Sequence, residues 1–311
     1  MTTALPSLQQ LRFLAALVEH RHFGRAAAAC TVTQSTLSGG IKELEDRLGA
    51  VLVERSRRRV MPTALGLEIA ERARRLLNDA EELVQAAQGG REPLTGPLRL
   101  GVIPTIGPYL LPALMPGLAD AYPRLRLYLR EEPTGVLLEK LEAGLLDLAL
   151  LALPYDVGSA ETMALFEDPI LAALPPGHRL SRGQRVDPAA LAGEALLLLE
   201  DGHCLRSHAL QACRIAGPVP NETVQGTSLR TLVQMAAAGL GATLIPEISL
   251  ASELPADGRL VVRPLAPAGA ARTIALAWRP ISARKSEFRE LGNWIKIRAK
   301  SLRLPREPKR H

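Results

Sequence analysis

Aromatic side chains are scarce, 3% of the 311 residues against 47% hydrophobic residues overall, so the cores must be built from Leu, Ala and Val. Cysteine is scarcer still. Three in the whole chain cannot staple a disulfide-held fold, and such sparing use suits a reducing cytosol. The first twenty residues lack the basic start and continuous apolar stretch of a secretion signal, because Arg12 and Glu19 interrupt apolar positions spaced as a helix. No apolar run approaches the roughly 20 residues that cross a bilayer; even 145–153 contains Asp147. Metal-ligand grouping is missing too: His20, His22, His178 and His208 fall into no cluster. No motif singles out a carboxylate pair for hydrolysis, and the glycines at 239 and 241 lack the third glycine of a dinucleotide loop. The expectation is a soluble, cytoplasmic protein of about two domains, with no membrane partner, metal or cofactor.

Charge is present but uneven. Residues 1–63 hold nine basic and five acidic side chains, and the tail 296–311 holds seven basic and one acidic. The stretch between them is net negative, although the whole chain carries +6. Positive ends around a mildly acidic middle point to a polyanion partner. The tail by itself reads as solvated rather than as a second contact.

In the first segment Leu8, Leu11, Leu14, Leu17 and Val18 repeat at steps of three and four, an amphipathic helix. Residues 23–30 form a short Ala-rich helix holding Cys30, which reads as core packing. A third helix begins after Thr33 as N-cap, buries Leu37, Ile41, Leu44 and Leu48, and stops at Gly49. Three short helices with a tight second connection make a helix-turn-helix. Residues 51–53 and Val60, around the arginines of 55–59, read as a small hairpin or wing. With Ile41 at the centre of the buried face, Ser35, Thr36, Gly39 and Lys42 lie opposite it. Hydroxyls there can reach base edges or phosphates, Lys42 can meet a phosphate, and Gln34 in the first turn can reach a base. Gly39 and Gly40 each cost about 1 kcal/mol in a helix interior, tolerable where the backbone must approach DNA closely. An isolated arginine run is usually a solvated surface, but beside a helix-turn-helix it points to backbone phosphate or the minor groove.

Pro62 and Thr63 open a longer helix to about residue 88, with Ile69, Ala73, Leu76, Ala80, Leu83 and Ala87 on an a/d seam. Packing on its own domain is one reading. The narrow stripe flanked by charge favours a dimerising coil, and 88–93 reads as a hinge. From residue 98 the pattern changes to strands at 98–103, 125–129 and 146–153 alternating with helices at 109–122 and 136–142. Segments 196–199, 231–238, 242–245 and 274–278 continue it. Such alternation predicts a mostly parallel sheet with helices on both faces, as two α/β lobes around a cleft where ligands sit. The divisions expected are a winged helix-turn-helix at 1–63, a linker helix and hinge at 64–90, and an effector domain at 91–311. Within the last, the lobes span about 97–166 with 270–300, and 167–269.

The segment from Glu200 to Cys213 holds two thiols. Asp201 and Gly202 form a turn after a Leu-rich strand, which puts His203 and Cys204 where a helix begins. A helix N-terminus favours a thiolate there, and His203 or a nearby arginine lowers the pKa further. A thiolate attacks peroxide to give a sulfenic acid, which condenses with a second thiol. Nine helical residues span roughly 13–14 Å, whereas a disulfide needs Cα atoms about 4.4–6.8 Å apart. Cys204 and Cys213 therefore cannot join while the helix is intact, and joining them demands local unfolding. Taken alone, the spacing also fits two ordinary buried cysteines.

The run through Leu11, Phe23, Ala26, Ala27, Gln34, Ser35, Leu37, Ser38, Ile41, Leu44, Glu45, Leu48, Gly49, Leu52 and Thr63 to Gly66 resembles the LysR-type transcriptional regulators. The likeness extends over nearly the whole chain, with Gly40 standing where members commonly carry a larger residue. It implies a winged helix-turn-helix with a linker helix, a two-lobed periplasmic-binding-protein-like α/β effector domain, and a homodimer or homotetramer on promoter DNA. The DNA-contacting set is then Gln34, Ser35, Thr36, Ser38, Lys42, Arg55, Arg57 and Arg58. Residues 197–206, LLLEDGHCLR, and 101–112 resemble the peroxide-sensing OxyR group of that family. By that resemblance Cys204 is the peroxidatic and Cys213 the resolving cysteine. Thr105, Thr134, His203 and Arg272 would line the peroxide pocket, where a hydroxyl and a guanidinium suit a departing oxygen. Where the group often has an acidic residue, this chain has Ser207. The partners implied are double-stranded promoter DNA, RNA polymerase, hydrogen peroxide and a thiol reductant such as glutaredoxin or thioredoxin.

Two other readings use the same residues. One is a LysR-type regulator responding to a small organic effector held between the lobes. The other is a thiol peroxidase that turns over, which would leave the first 63 residues without a purpose.

Overall fold

The structure, a computed structural model, describes residues 5–55, 60–87, 93–213, 222–255, 258–266 and 270–301. The chain divides into two compact units, Met1–Arg91 with Glu142–Leu145, and Glu92–Leu141 with Leu146–His311. Among the described residues no helix is long and apolar enough to cross a membrane.

In the first unit, α1 (Leu8–His20), α2 (Phe23–Ala29) and α3 (Gln34–Leu48) are followed by β1 (Val53–Arg55), β2 (Val60–Pro62) and α4 (Ala64–Ala87). Each short helix carries its start signal. Ser7 and Gln10 form a capping box on α1, His22 Nδ1 accepts from Gly24 and Arg25 N–H at α2, and Thr33 accepts from Thr36 N–H at α3. Gly49 ends α3 in the left-handed conformation its lack of Cβ permits. The core gathers Leu11, Phe13, Leu14, Leu17, Leu37, Ile41 and Leu44 with Ala70 and Ala73 of α4. Leu48, expected inside, is 39% exposed, at the last residue of α3. Strands β1 and β2 pair antiparallel as the expected wing. Cys30 is half-buried against this core, and burial pushes its thiol up.

Gly40 has a packing reason rather than a DNA one. A Cβ built on it would meet the Phe13 ring at 2.6 Å, whereas one on Gly39 meets nothing within 4 Å. Gly40→Leu is expected to cost about 1–3 kcal/mol by overpacking, and Gly39→Ala to add about 1 kcal/mol of helix propensity. Opposite shifts in the thermal unfolding of the full-length protein would show it.

The seam expected on α4 divides. Ala73 is buried and Ile69 half-buried in the unit's own core. Leu76 and Leu83, a heptad apart, are 52% and 70% exposed. One face of the helix serves its own domain and another is left bare.

The second unit runs β3 (Gly96–Val102), α5 (Gly107–Ala121), β4 (Leu125–Glu131), α6 (Thr134–Glu142), β5 (Leu148–Leu153) and β6 (Glu161–Leu174). There follow α7 (Pro188–Leu191), β7 (Leu196–Leu199), α8 (Cys204–Ala212), β8 (Glu222–Gly226), α9 (Leu229–Ala237) and β9 (Ala242–Pro246). Helix α10 (Leu250–Glu253), β10 (Val261–Pro264), β11 (Ala271–Trp278) and α11 (Lys285–Ser301) complete it. The strands form one curled sheet in the order β4-β3-β5-β11-β6-β9-β7-β8, with β10 beside β6. It is mixed rather than mostly parallel. The βα repeats give parallel pairs, but β11 returns antiparallel to both β5 and β6, and β6 is antiparallel to β9 and β10.

Strand β6 explains the two lobes. Its first part, to Pro169, pairs with β11, and its second, from Ile170, pairs with β9. One core collects Leu98, Leu100, Leu137, Leu148, Ile274, Trp278 and Phe288 around the first part. The other collects Leu171, Leu174, Leu197, Leu232, Val233 and Ile245 around the second. The site lies where these cores meet.

Candidate functional site

Helix α8 begins at Cys204, with His203 in extended conformation as its N-cap. Residues 204 and 208 are one turn apart on one face, and both Cys204 and His208 are buried. Cys213 follows the helix as C-cap, donating its N–H to Ala209 and Gln211 carbonyls. Burial divides the two thiols between the lobes: Cys204 belongs to the first core and Cys213 to the second. Both are free.

Opposite Cys204 stand side chains from three other elements. Thr134 opens α6 and is wholly buried. Thr105 lies in the connection from β3 to α5 and is buried too. Arg272 of β11, with no exposed surface, stands directly across from Asp168 of β6. Its Nε donates to Asp168 Oδ2 at 2.9 Å, Nη1 to Thr105 Oγ1 at 2.7 Å, and Nη2 to the Thr105 carbonyl at 2.8 Å. Asp168 Oδ1 accepts the Ile248 N–H at 3.0 Å, so both carboxylate oxygens are used. The guanidinium plane is fixed from two sides before any ligand arrives, as preorganised charge requires.

Electrostatics at the thiol differ from the sequence expectation. Burial raises the pKa of Cys204 and outweighs the groups that lower it, which are the Thr134 hydroxyl, the Arg272 charge and backbone N–H at the helix start. The resting group is a protonated thiol, poised rather than ionised. Burial likewise lifts Cys213 to about 11. His208 is pushed down, by burial first and by Arg272, against a hydrogen bond to Pro154 that raises it. Its ring is therefore neutral at physiological pH.

Two polar atoms here are buried without a partner among the described residues, Thr134 Oγ1 and His208 Nδ1. The Thr134 hydroxyl lies close enough to Cys204 to favour its thiolate. Buried polar groups are seldom left so, and such orphans call for a small polar occupant.

The structure thus brings together Cys204, Thr134, Thr105 and Arg272. His203 is buried at the head of the helix, but its Nε2 faces Glu200 at 3.9 Å. Ser207 points outward, exposed, so an acidic residue there would not face this site. Asp168 and His208 are the members that sequence reasoning missed. The signal for His208 was its i+4 spacing from Cys204; nothing local marks Asp168.

On the first unit, Gln34, Ser35, Thr36 and Lys42 are exposed on α3, and Ser38 is half-buried. Thr33 Oγ1 lies 2.9 Å from Ser35 Oγ and 2.8 Å from Thr36 Oγ1, which orients both hydroxyls at the helix start. Arg55 ends β1. Arg57 and Arg58 lie outside the described residues.

Comparison with known proteins agrees along the chain. Residues 8–67 match the bacterial regulatory helix-turn-helix protein, lysR family, and residues 91–300 match the LysR substrate binding domain. The DNA-binding transcriptional dual regulator OxyR of Escherichia coli is 42% identical over 292 residues, covering 94% of this chain and 95% of that protein. The HTH-type transcriptional regulator EstR of Acinetobacter baylyi is 42% identical over 287 residues, covering 92% and 94%. A solved cysteine-to-aspartate variant of full-length OxyR from Pseudomonas aeruginosa superimposes with a TM-score of 0.80 at 38% identity, covering 94% of this chain and 98% of that one.

Proposed function

We propose a peroxide-switched regulator of transcription, starting from the premise that the chain belongs to the LysR family of bacterial transcriptional regulators. Hydrogen peroxide enters the pocket of Thr105, Thr134 and Arg272 and oxidises Cys204. The resulting sulfenic acid condenses with Cys213, and α8 unwinds to let the sulfurs meet. The observation that carries this reading is the division of the two thiols between separate lobe cores. Joining them must withdraw at least one from its core, and a two-electron oxidation becomes a change of shape. A thiol reductant such as glutaredoxin or thioredoxin resets it.

In the cytoplasm α3, with Gln34, Ser35, Thr36, Ser38 and Lys42, reads promoter DNA, and Arg55, Arg57 and Arg58 of the wing hold its backbone. Bare Leu76 and Leu83 on α4 suit a second copy of this chain, so the acting form is a homodimer or homotetramer that presents itself to RNA polymerase. Replacing Arg57 and Arg58 with alanine is expected to weaken binding to all sequences alike. It should flatten the slope of log affinity against log salt by about two phosphate contacts. Loss confined to one base position would assign them to base reading instead.

The test is an operator footprint of the reduced protein before and after micromolar peroxide, with peptide mapping of the cysteines. A footprint that shifts together with a Cys204–Cys213 link supports the reading. One rival is an organic effector held in the cleft between the lobes, where two-lobed folds take their ligands. A footprint unmoved by peroxide but altered by a small organic ligand would establish that rival.

A further inference from the structure

We propose that His208 is the proton relay of this site, taking the proton from the Cys204 thiol and delivering it to the departing peroxide oxygen. The inference rests on the peroxide reading above and deepens it.

Three observations carry it. First, the ring's tautomer is set. His208 Nε2 lies 2.8 Å from the Pro154 carbonyl, which can only accept, so Nε2 carries the hydrogen and Nδ1 presents a lone pair. Second, that lone pair is buried and unpartnered, on a side chain 4% exposed. A buried acceptor without a donor costs free energy, and a group offering a proton would relieve it. Third, His208 sits one helical turn from Cys204, and Arg272 acts electrostatically on both. The charged group acting on the ring is Arg272 from β11, itself held by Asp168 from β6, and the titratable group one turn away on its own helix is Cys204. The Pro154 carbonyl after β5 supplies a neutral acceptor to the ring.

The step balances without an outside reagent other than the peroxide. Nδ1 accepts the Sγ proton. The thiolate electron pair forms an S–O bond to one peroxide oxygen while the O–O bond breaks. The leaving oxygen takes the proton from Nδ1, giving Cys204 sulfenic acid and water, with sulfur oxidised by two electrons and peroxide reduced by two. This answers the difficulty burial creates: a thiol held protonated can still react at neutral pH if a neutral base one turn along the same helix takes up its proton.

The test follows trapping of the Cys204 sulfenic acid by dimedone in the full chain, with Cys213→Ser in every sample so that the intermediate persists. Rates are taken from about pH 5 to 9 with and without His208→Gln. Glutamine keeps a donor for the Pro154 carbonyl but cannot carry a proton at these pH values. With His208 present, the rate should be nearly flat across neutral pH and fall only in more acid solution, as the imidazole, held low by its burial, takes up a proton. With glutamine it should be at least tenfold slower at pH 7. It should then climb about tenfold per pH unit toward the thiol's own ionisation. Reduced-state operator binding checks that the variant folds, and imidazole added to His208→Ala should restore part of the rate if the fold is sound. Equal rates and equal profiles with and without glutamine would overturn the relay while leaving the peroxide reading intact. No trapping in any sample would overturn the peroxide reading itself.

Discussion

Cys204→Ser is expected to abolish the peroxide-induced change of footprint while leaving reduced-state operator affinity within about twofold. The hydroxyl cannot be oxidised, so the switch is lost outright rather than weakened. Folding should survive. Burying an unsatisfied hydroxyl costs about 1–3 kcal/mol, but the orphaned Thr134 hydroxyl beside residue 204 can exchange a hydrogen bond with it. The DNA contacts proposed for α3 and the wing belong to a different unit from α8. Complete loss of DNA binding in this variant would contradict that separation of roles.

The second large effect is expected at Arg272. Removing the guanidinium strands the Asp168 carboxylate, which is 1% exposed, without its cation. Breaking a buried pair from one side costs about 3–5 kcal/mol. Arg272→Met should therefore lower the thermal midpoint steeply, and the loss should depend on pH. The stranded carboxyl takes up a proton in the folded state, so its folded pKa lies above the unfolded value of about 3.9. The native state then binds more protons than the unfolded one between those two values. Stability accordingly falls as pH rises from about 4 toward 7. Adding Asp168→Leu should recover most of the midpoint and remove that pH dependence. It should not restore the rate of Cys204 oxidation, because the donor proposed to meet the peroxide is still absent. Recovery of both would mean that Arg272 serves only the fold. Differential scanning fluorimetry and dimedone trapping on the same two variants separate the outcomes.

How much of this was legible in the sequence varied with the range of the signal. Local signals held. Thr33 and Gly49 bound α3 as capping chemistry requires, and β7 emerged where Leu196–Leu199 run together. Elements serving two masters were harder. Strand β6 alternates buried and exposed in its first part and is continuously buried in its second, because each part lies in a different core. No single period describes it, and Pro169 and Asp168 discourage a strand. The antiparallel course of β11 was invisible because strand direction depends on how the chain crosses back, not on composition. On α4 the pattern found the apolar positions but not their division between the domain's own core and open surface.

For the site, local reading found the thiols and their spacing as a helix would set it. The pocket was another matter. Positions 105, 134 and 272 carry no common period, and only likeness to a family named them; the fold then brought them to Cys204. Asp168 escaped because its meaning is a cross-strand partner more than a hundred residues away. The thiolate expectation failed for an energetic reason. A helix N-terminus and a nearby cation favour the thiolate, but burial strips the sulfur of its hydration, and that is the larger effect.

The claim beneath all of this is that Cys204 and Cys213 cannot join while α8 stays helical. Amide hydrogen exchange over residues 204–213, reduced against peroxide-treated, reads it directly. In the reduced protein the helix amides should be protected, those of residues 208–213 included, and in the disulfide form they should exchange at rates near those of an unstructured peptide. Equal protection in both forms, with the two sulfurs shown to be linked, would contradict it.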